Sequence, residues 1–171
     1  MKKLIALLFI SVMTIPAHGQ STQRRYASRI TPDGTIFFIH PQKLGALTNL
    51  RRFEYDMTLL SWKDSVTINF TIESSWMTAP ENLELASGDE VYPCEDFSVL
   101  YTDIKKQHYV IRVTSKFPLQ ELAQIIASTT SPTFAFTQNG VLEAAKYTDS
   151  AWKKERKKLL AIIQLYVYSK K

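Results

Sequence analysis

Val66-Thr67-Ile68-Asn69-Phe70-Thr71-Ile72-Glu73 decides the fold. Strict alternation sets Val66, Ile68, Phe70 and Ile72 on one face and Thr67, Asn69, Thr71 and Glu73 on the other, the period of a strand with one buried side. Lys63-Asp64-Ser65 separates this strand from the apolar stretch Phe53 to Trp62, so the two read as a hairpin.

The same grammar extends in both directions. Upstream, Pro32-Asp33-Gly34 is a turn signature between Ile30-Thr31 and Thr35 to Ile39. Downstream, a loop containing Trp76 and Pro80 leads to Leu83 to Ala86, a turn at Ser87-Gly88-Asp89, and Glu90 to Tyr92. Phe97 to Thr102 and Gln107 to Ser115 form a further hairpin, and a two-residue turn at Lys105-Lys106 sets Asp103 opposite His108. Asn139-Gly140, between Thr133 to Gln138 and Val141 to Tyr147, is the most specific hairpin signal, because both residues tolerate the positive φ of a type I′ turn.

Two helical patterns interrupt the strands. One covers about 118–128, with Pro118 at its start and Leu122 and Ile126 on one stripe. The other covers about 149–168, with Asp149 or Ser150 as N-cap, although the apolar Leu159 to Tyr168 also permits a final strand. The expected fold is therefore α+β and mainly antiparallel β: a curved sheet or β-sandwich of hairpins with both helices packed on it.

Residues 1–19 read as an export signal: Lys2 and Lys3, the apolar run Leu4 to Val12, and Ala17-His18-Gly19 before a cut at Gln20. Residues 20–29 follow as a polar mobile arm, and 30–171 as one globular domain. The short two-lysine signal has a bacterial look, and the expected location is periplasmic or extracellular. No segment of the mature chain is long and apolar enough to span a bilayer. Cys94 is the only cysteine, so stability has to come from a packed core, for which a 45% hydrophobic content suffices.

Net charge is +5, and removing Lys2 and Lys3 leaves 19 basic against 16 acidic residues, or +3. That is too mild to imply nucleic acid. The charge is unevenly spread: residues 81–103 hold seven acids and no Lys or Arg, whereas 146–171 hold eight bases and two acids. Such segments either neutralise each other or face charged partners.

Chemistry is thinly supplied. Gly34, Gly45, Gly88 and Gly140 stand singly, so no phosphate-cradling loop can be assembled. His40 and His108 are far apart and one cysteine cannot build a thiolate site, so no metal, cofactor or catalytic constellation is expected. Glu95 and Asp96 beside Cys94 raise the thiol pKa and suppress the nucleophilic thiolate. The candidate partner-binding residues are Lys153, Lys154, Arg156, Lys157 and Lys158, crowded into the helix start where the macrodipole disfavours cations. The expected function is a non-enzymatic exported binding or envelope-assembly protein. The alternatives are an envelope hydrolase using acids such as Glu95, Asp96 or Asp103 in a cleft, and a peripheral binder of anionic lipid or polysaccharide.

Overall fold

The computed structural model describes residues 24–48 and 50–169. The export signal read over 1–19 lies outside the described residues, as do residues 20–23 of the expected arm. From Tyr26 onward that arm is strand. Tyr26-Ala27-Ser28-Arg29 has no apolar alternation to announce this; its backbone is held by a ladder to Ile36, Phe37, Phe38 and Ile39.

The elements in chain order are β1 (Tyr26–Thr31), β2 (Gly34–Ala46), β3 (Arg52–Leu60), β4 (Ser65–Ser74), β5 (Glu81–Ser87), β6 (Glu90–Pro93), β7 (Glu95–Lys105), β8 (His108–Pro118), α1 (Leu119–Ala127), β9 (Thr133–Gln138), β10 (Val141–Lys146) and α2 (Asp149–Ser169). Every strand pair is antiparallel, in the order β6-β5-β9-β10-β2-β3-β4-β8-β7, with β1 added to β2. The ends of that order, β6 and β7, are joined through Cys94 alone, so the sheet is curled and nearly closed. The Cys94 N–H donates to the Leu83 carbonyl at 2.9 Å, carrying the β5 edge up to the seam. The fold is thus α+β with one curved antiparallel sheet.

Alternation explains the interior. Val66, Ile68, Phe70 and Ile72 of β4 are fully buried, and Phe53, Phe70, Phe134 and Phe136 form an aromatic knot with ring centroids 5.5 to 6.0 Å apart. Truncating one such ring to alanine costs about 3–5 kcal/mol. Elsewhere the two helices fill the concavity: Leu122, Ile125 and Ile126 of α1 and Trp152 and Leu159 of α2 meet Met57, Leu85 and Phe134 around a void of about 10 Å³. That is near the lower limit for one water molecule.

The Tyr55 and Tyr147 hydroxyls share a hydrogen bond of 2.7 Å inside this core. Burial raises the pKa of both phenols; the Glu155 carboxylate raises both further, and for Tyr147 so does Tyr55 itself. Glu155, amid the lysines of α2, is itself buried and pairs with Arg25, with Lys158 at 3.8 Å.

Two local expectations are corrected. Lys106 and Gln107, with φ of 48° and 69°, form the β7–β8 turn, so Lys105 pairs with His108 and Asp103 stands opposite Val110. β7 has no buried face to pin its register, which therefore follows the turn. The cap of α2 is Thr148, whose Oγ1 accepts from the Ala151 N–H at 3.3 Å, ahead of the expected Asp149 or Ser150. α2 is helical to Ser169, and its fully buried residues, Trp152, Glu155, Leu159, Ile162 and Tyr166, make one stripe.

Candidate functional site

β7 is an edge strand exposed almost along its whole length. β8 holds one edge, through two register shifts, while the other edge pairs with no strand among the described residues. Its apolar side chains stand in solvent: Val99 is 41% exposed, Leu100 53%, Tyr101 48% and Ile104 67%. The reason lies in the seam. β6 ends at Pro93, just before Cys94, and beyond Phe97, which is packed against the core, no strand among the described residues other than β8 pairs with β7. A long apolar edge of this kind offers unpaired N–H and C=O groups to an incoming strand, and soluble proteins ordinarily blunt or cover it.

The sheet behind β7 is stiffened on its outer face. Arg112 of β8 donates to Asp56 of β3 at 2.6 Å and to Thr71 of β4 at 2.7 Å, and Asn69 donates to the same carboxylate at 2.7 Å. One guanidinium thereby clamps three strands. Nearby, Arg52 donates to Glu54 at 2.5 Å, and Lys43 lies 3.8 Å from the same carboxylate. The hydrogen bond to Glu54 raises the Arg52 pKa, burial opposes it, and the charges of Glu54, Glu73 and Tyr101 add to the rise. Lys43, Leu44, Arg51, Arg52, Phe53 and Glu73 line an open cleft of about 490 Å³.

No protein-family model, characterised protein or solved structure matches this chain. The arrangement of its own residues carries the functional argument.

The five basic candidates do not act as one group. Lys153, Lys154 and Lys157 are exposed and in no ion pair among the described residues. Arg156 instead donates to the carbonyls of Ile126 and Ala127 at 2.9 and 2.5 Å, closing the C-terminal end of α1, and Lys158 lies beside Glu155. No ion pair among the described residues joins this cluster to the acidic segment 81–103, whose one ion pair is Asp96 with Lys116 at 2.6 Å. Past the lysines, α2 exposes Leu165, Val167 and Tyr168.

The acids Glu95, Asp96 and Asp103 are all exposed on β7, away from the residues lining the cleft. Asp103 accepts the Ile104 N–H at 2.8 Å. His40 is exposed, with Nδ1 3.1 Å from the Arg24 carbonyl. His108 is half-buried, with no hydrogen bond at Nδ1 among the described residues. Among the described residues no three His, Cys, Asp or Glu side chains are grouped to hold a metal ion.

Cys94 sits half-buried at the seam with its pKa pushed up to about 12. Burial is the main cause, a hydrogen bond with Ser115 opposes it, and Glu84 adds to the rise. The direction matches the sequence reading, but the carboxylate responsible is Glu84, across the β5–β6 ladder, and not Glu95 or Asp96.

Sequence reasoning missed the β7 edge, although a signal was present. Val99-Leu100-Tyr101 places apolar side chains on both faces in succession, which a strand with one wet side does not need.

Proposed function

We propose that this chain is an exported, non-enzymatic binding or assembly protein of the bacterial envelope that engages its partner along β7. The observation that carries the reading is the open β7 edge with Val99, Leu100, Tyr101 and Ile104 exposed beside it. The concave side of the sheet is occupied by aromatic side chains and helices, which favours binding on the outside. Recognition by strand addition draws affinity from main-chain hydrogen bonds and specificity from the side chains beside them. The export signal read over 1–19 supports the location, and among the described residues no helix is long and apolar enough to cross a membrane.

Crosslinking of the tagged protein in its native envelope, with mass spectrometry of the linked residues, tests this. Links concentrated between residues 95 and 108 support the reading; turnover of an envelope substrate by the purified protein would overturn it.

A second reading is favoured by Lys153, Lys154 and Lys157, exposed and in no ion pair among the described residues: adsorption of α2 to anionic lipid or polysaccharide. Binding to anionic vesicles would then weaken steeply with salt.

A further inference from the structure

We propose that the end of the sheet where β2 joins β3, β4 joins β5 and β7 joins β8 docks on a bilayer containing anionic phospholipid. One lipid phosphodiester sits in the cleft beside Arg51, and the side chains of Leu47, Trp76 and Met77 enter the interface. This goes beyond the reading of β7 as a partner edge, and it uses a different surface from the lysines of α2.

The strand registers bring the three connections together. Ala46 pairs with Ala145, Arg52 with Glu73, Ser74 with Tyr109 and Lys105 with His108, so residues 47–51, 75–80 and 106–107 all leave the sheet at one end. The Arg51 N–H donates to the Glu73 carbonyl at 3.1 Å, tying the first connection to the end of β4. α2 runs to the opposite end, where the Tyr166 hydroxyl donates to the Lys63 carbonyl in the β3–β4 turn.

Leu47, Trp76 and Met77 are exposed at the tips of two of these connections. Apolar tips on separate loops, with cations between them, suit a bilayer interface: each enters singly without a matching groove, and the bases meet headgroup phosphates. Lys105 and Lys106 are exposed in the third connection and at its start. They offset the two acids nearby, Glu81 and Asp103, and the Asp103 carboxylate is turned back to accept the Ile104 N–H at 2.8 Å.

The cleft of about 490 Å³ opens at this end. Lys43, Arg51 and Arg52 there stand against Glu54 and Glu73, a surplus of one positive charge, which a phosphodiester with its single negative charge matches. Arg52 is bonded to Glu54 at 2.5 Å and Lys43 lies 3.8 Å from the same carboxylate. Arg51, exposed and in no ion pair among the described residues, is the base placed to meet the phosphate.

Co-sedimentation of the mature chain with vesicles of phosphatidylcholine and phosphatidylglycerol in equal parts tests the docking. Binding is expected, and much less of it on phosphatidylcholine alone. Trp76→Ser with Met77→Ser should weaken it by about tenfold or more. Arg51→Gln should weaken it by about tenfold, against about fivefold for Lys106→Gln, which removes the same charge without a seat for the phosphate. Lys153→Gln with Lys154→Gln should leave it nearly unchanged. Urea unfolding of each variant shows that it folds. In a Trp62→Phe chain, phosphatidylglycerol brominated in its acyl chains should quench Trp76, since Trp152 is buried in the core.

No binding to the mixed vesicles, or binding without quenching of Trp76, overturns the proposal. Binding lost on changing Lys153 and Lys154 but not Arg51 also overturns it and assigns the lipid surface to α2.

Discussion

Arg156 reaches from the middle of the basic run of α2 to the last turn of α1, where its Nε–H donates to the Ile126 carbonyl at 2.9 Å. The side chain that looks most like a surface cation in the sequence is thus a cap on another helix, satisfying carbonyls that α1 leaves open. Arg156→Ala should lower stability by about 1.5–3 kcal/mol, the range for hydrogen bonds to a charged group. Lys154→Ala, at an exposed position, should stay within about 0.5 kcal/mol. Urea unfolding of the two variants distinguishes them; equal effects would remove the capping role.

The Tyr55–Tyr147 pair should show strong non-additivity. Tyr55→Phe or Tyr147→Phe alone strands a buried hydroxyl and should cost about 1–3 kcal/mol. The double variant removes both polar groups and should cost clearly less than the sum of the singles. A double-mutant cycle by urea denaturation checks this, and simple addition would mean that the hydroxyls do not act as a pair.

Cys94 makes a prediction about alkaline pH. The folded thiol keeps its proton to about 12, against an ordinary value of 9.0, so the folded state binds more protons than the unfolded state between those limits. The stability this provides is fully present below pH 9 and is lost as pH rises toward 12. The raised phenols Tyr55 and Tyr147 act in the same direction from their ordinary value of 10.0 upward. Alkylation of Cys94 at pH 8.5 should be far slower in the folded chain than in urea, and Cys94→Ala should soften the alkaline loss of stability. Equal alkylation rates would contradict a thiol shielded by the seam.

Legibility followed burial. The β4 alternation and the Asn139-Gly140 turn were readable because each reports a local constraint, a buried face in one case and left-handed backbone in the other. The β7–β8 turn was misplaced by one residue because Lys106 and Gln107 are ordinary residues in left-handed conformations and no buried face betrays the register. Closure at Cys94 depends on Leu83 of β5 and Ser115 of β8, distant in sequence, both meeting that residue. Such pairing leaves no periodic trace.

The candidate site was legible only in part. Glu155 falls on the buried stripe Trp152, Glu155, Leu159, Ile162 and Tyr166, and that spacing was present in the sequence. Its partner Arg25 lies in a polar stretch with no apolar period, 130 residues away in sequence, so nothing local reports the charge balance inside the basic run. The openness of β7 is a property of what fails to cover it, which no window of residues 95–105 encodes.

Backbone amide hydrogen exchange over β7, followed in dilute purified protein and again in envelope extract, tests the central claim most directly. In the dilute protein the amides of 97–105 that point away from β8 should exchange freely; on engagement the same amides should become protected while those of 153–158 stay unchanged. Protection that develops over Lys153 to Lys158 with β7 still exchanging freely would contradict the account and transfer the partner surface to the basic helix.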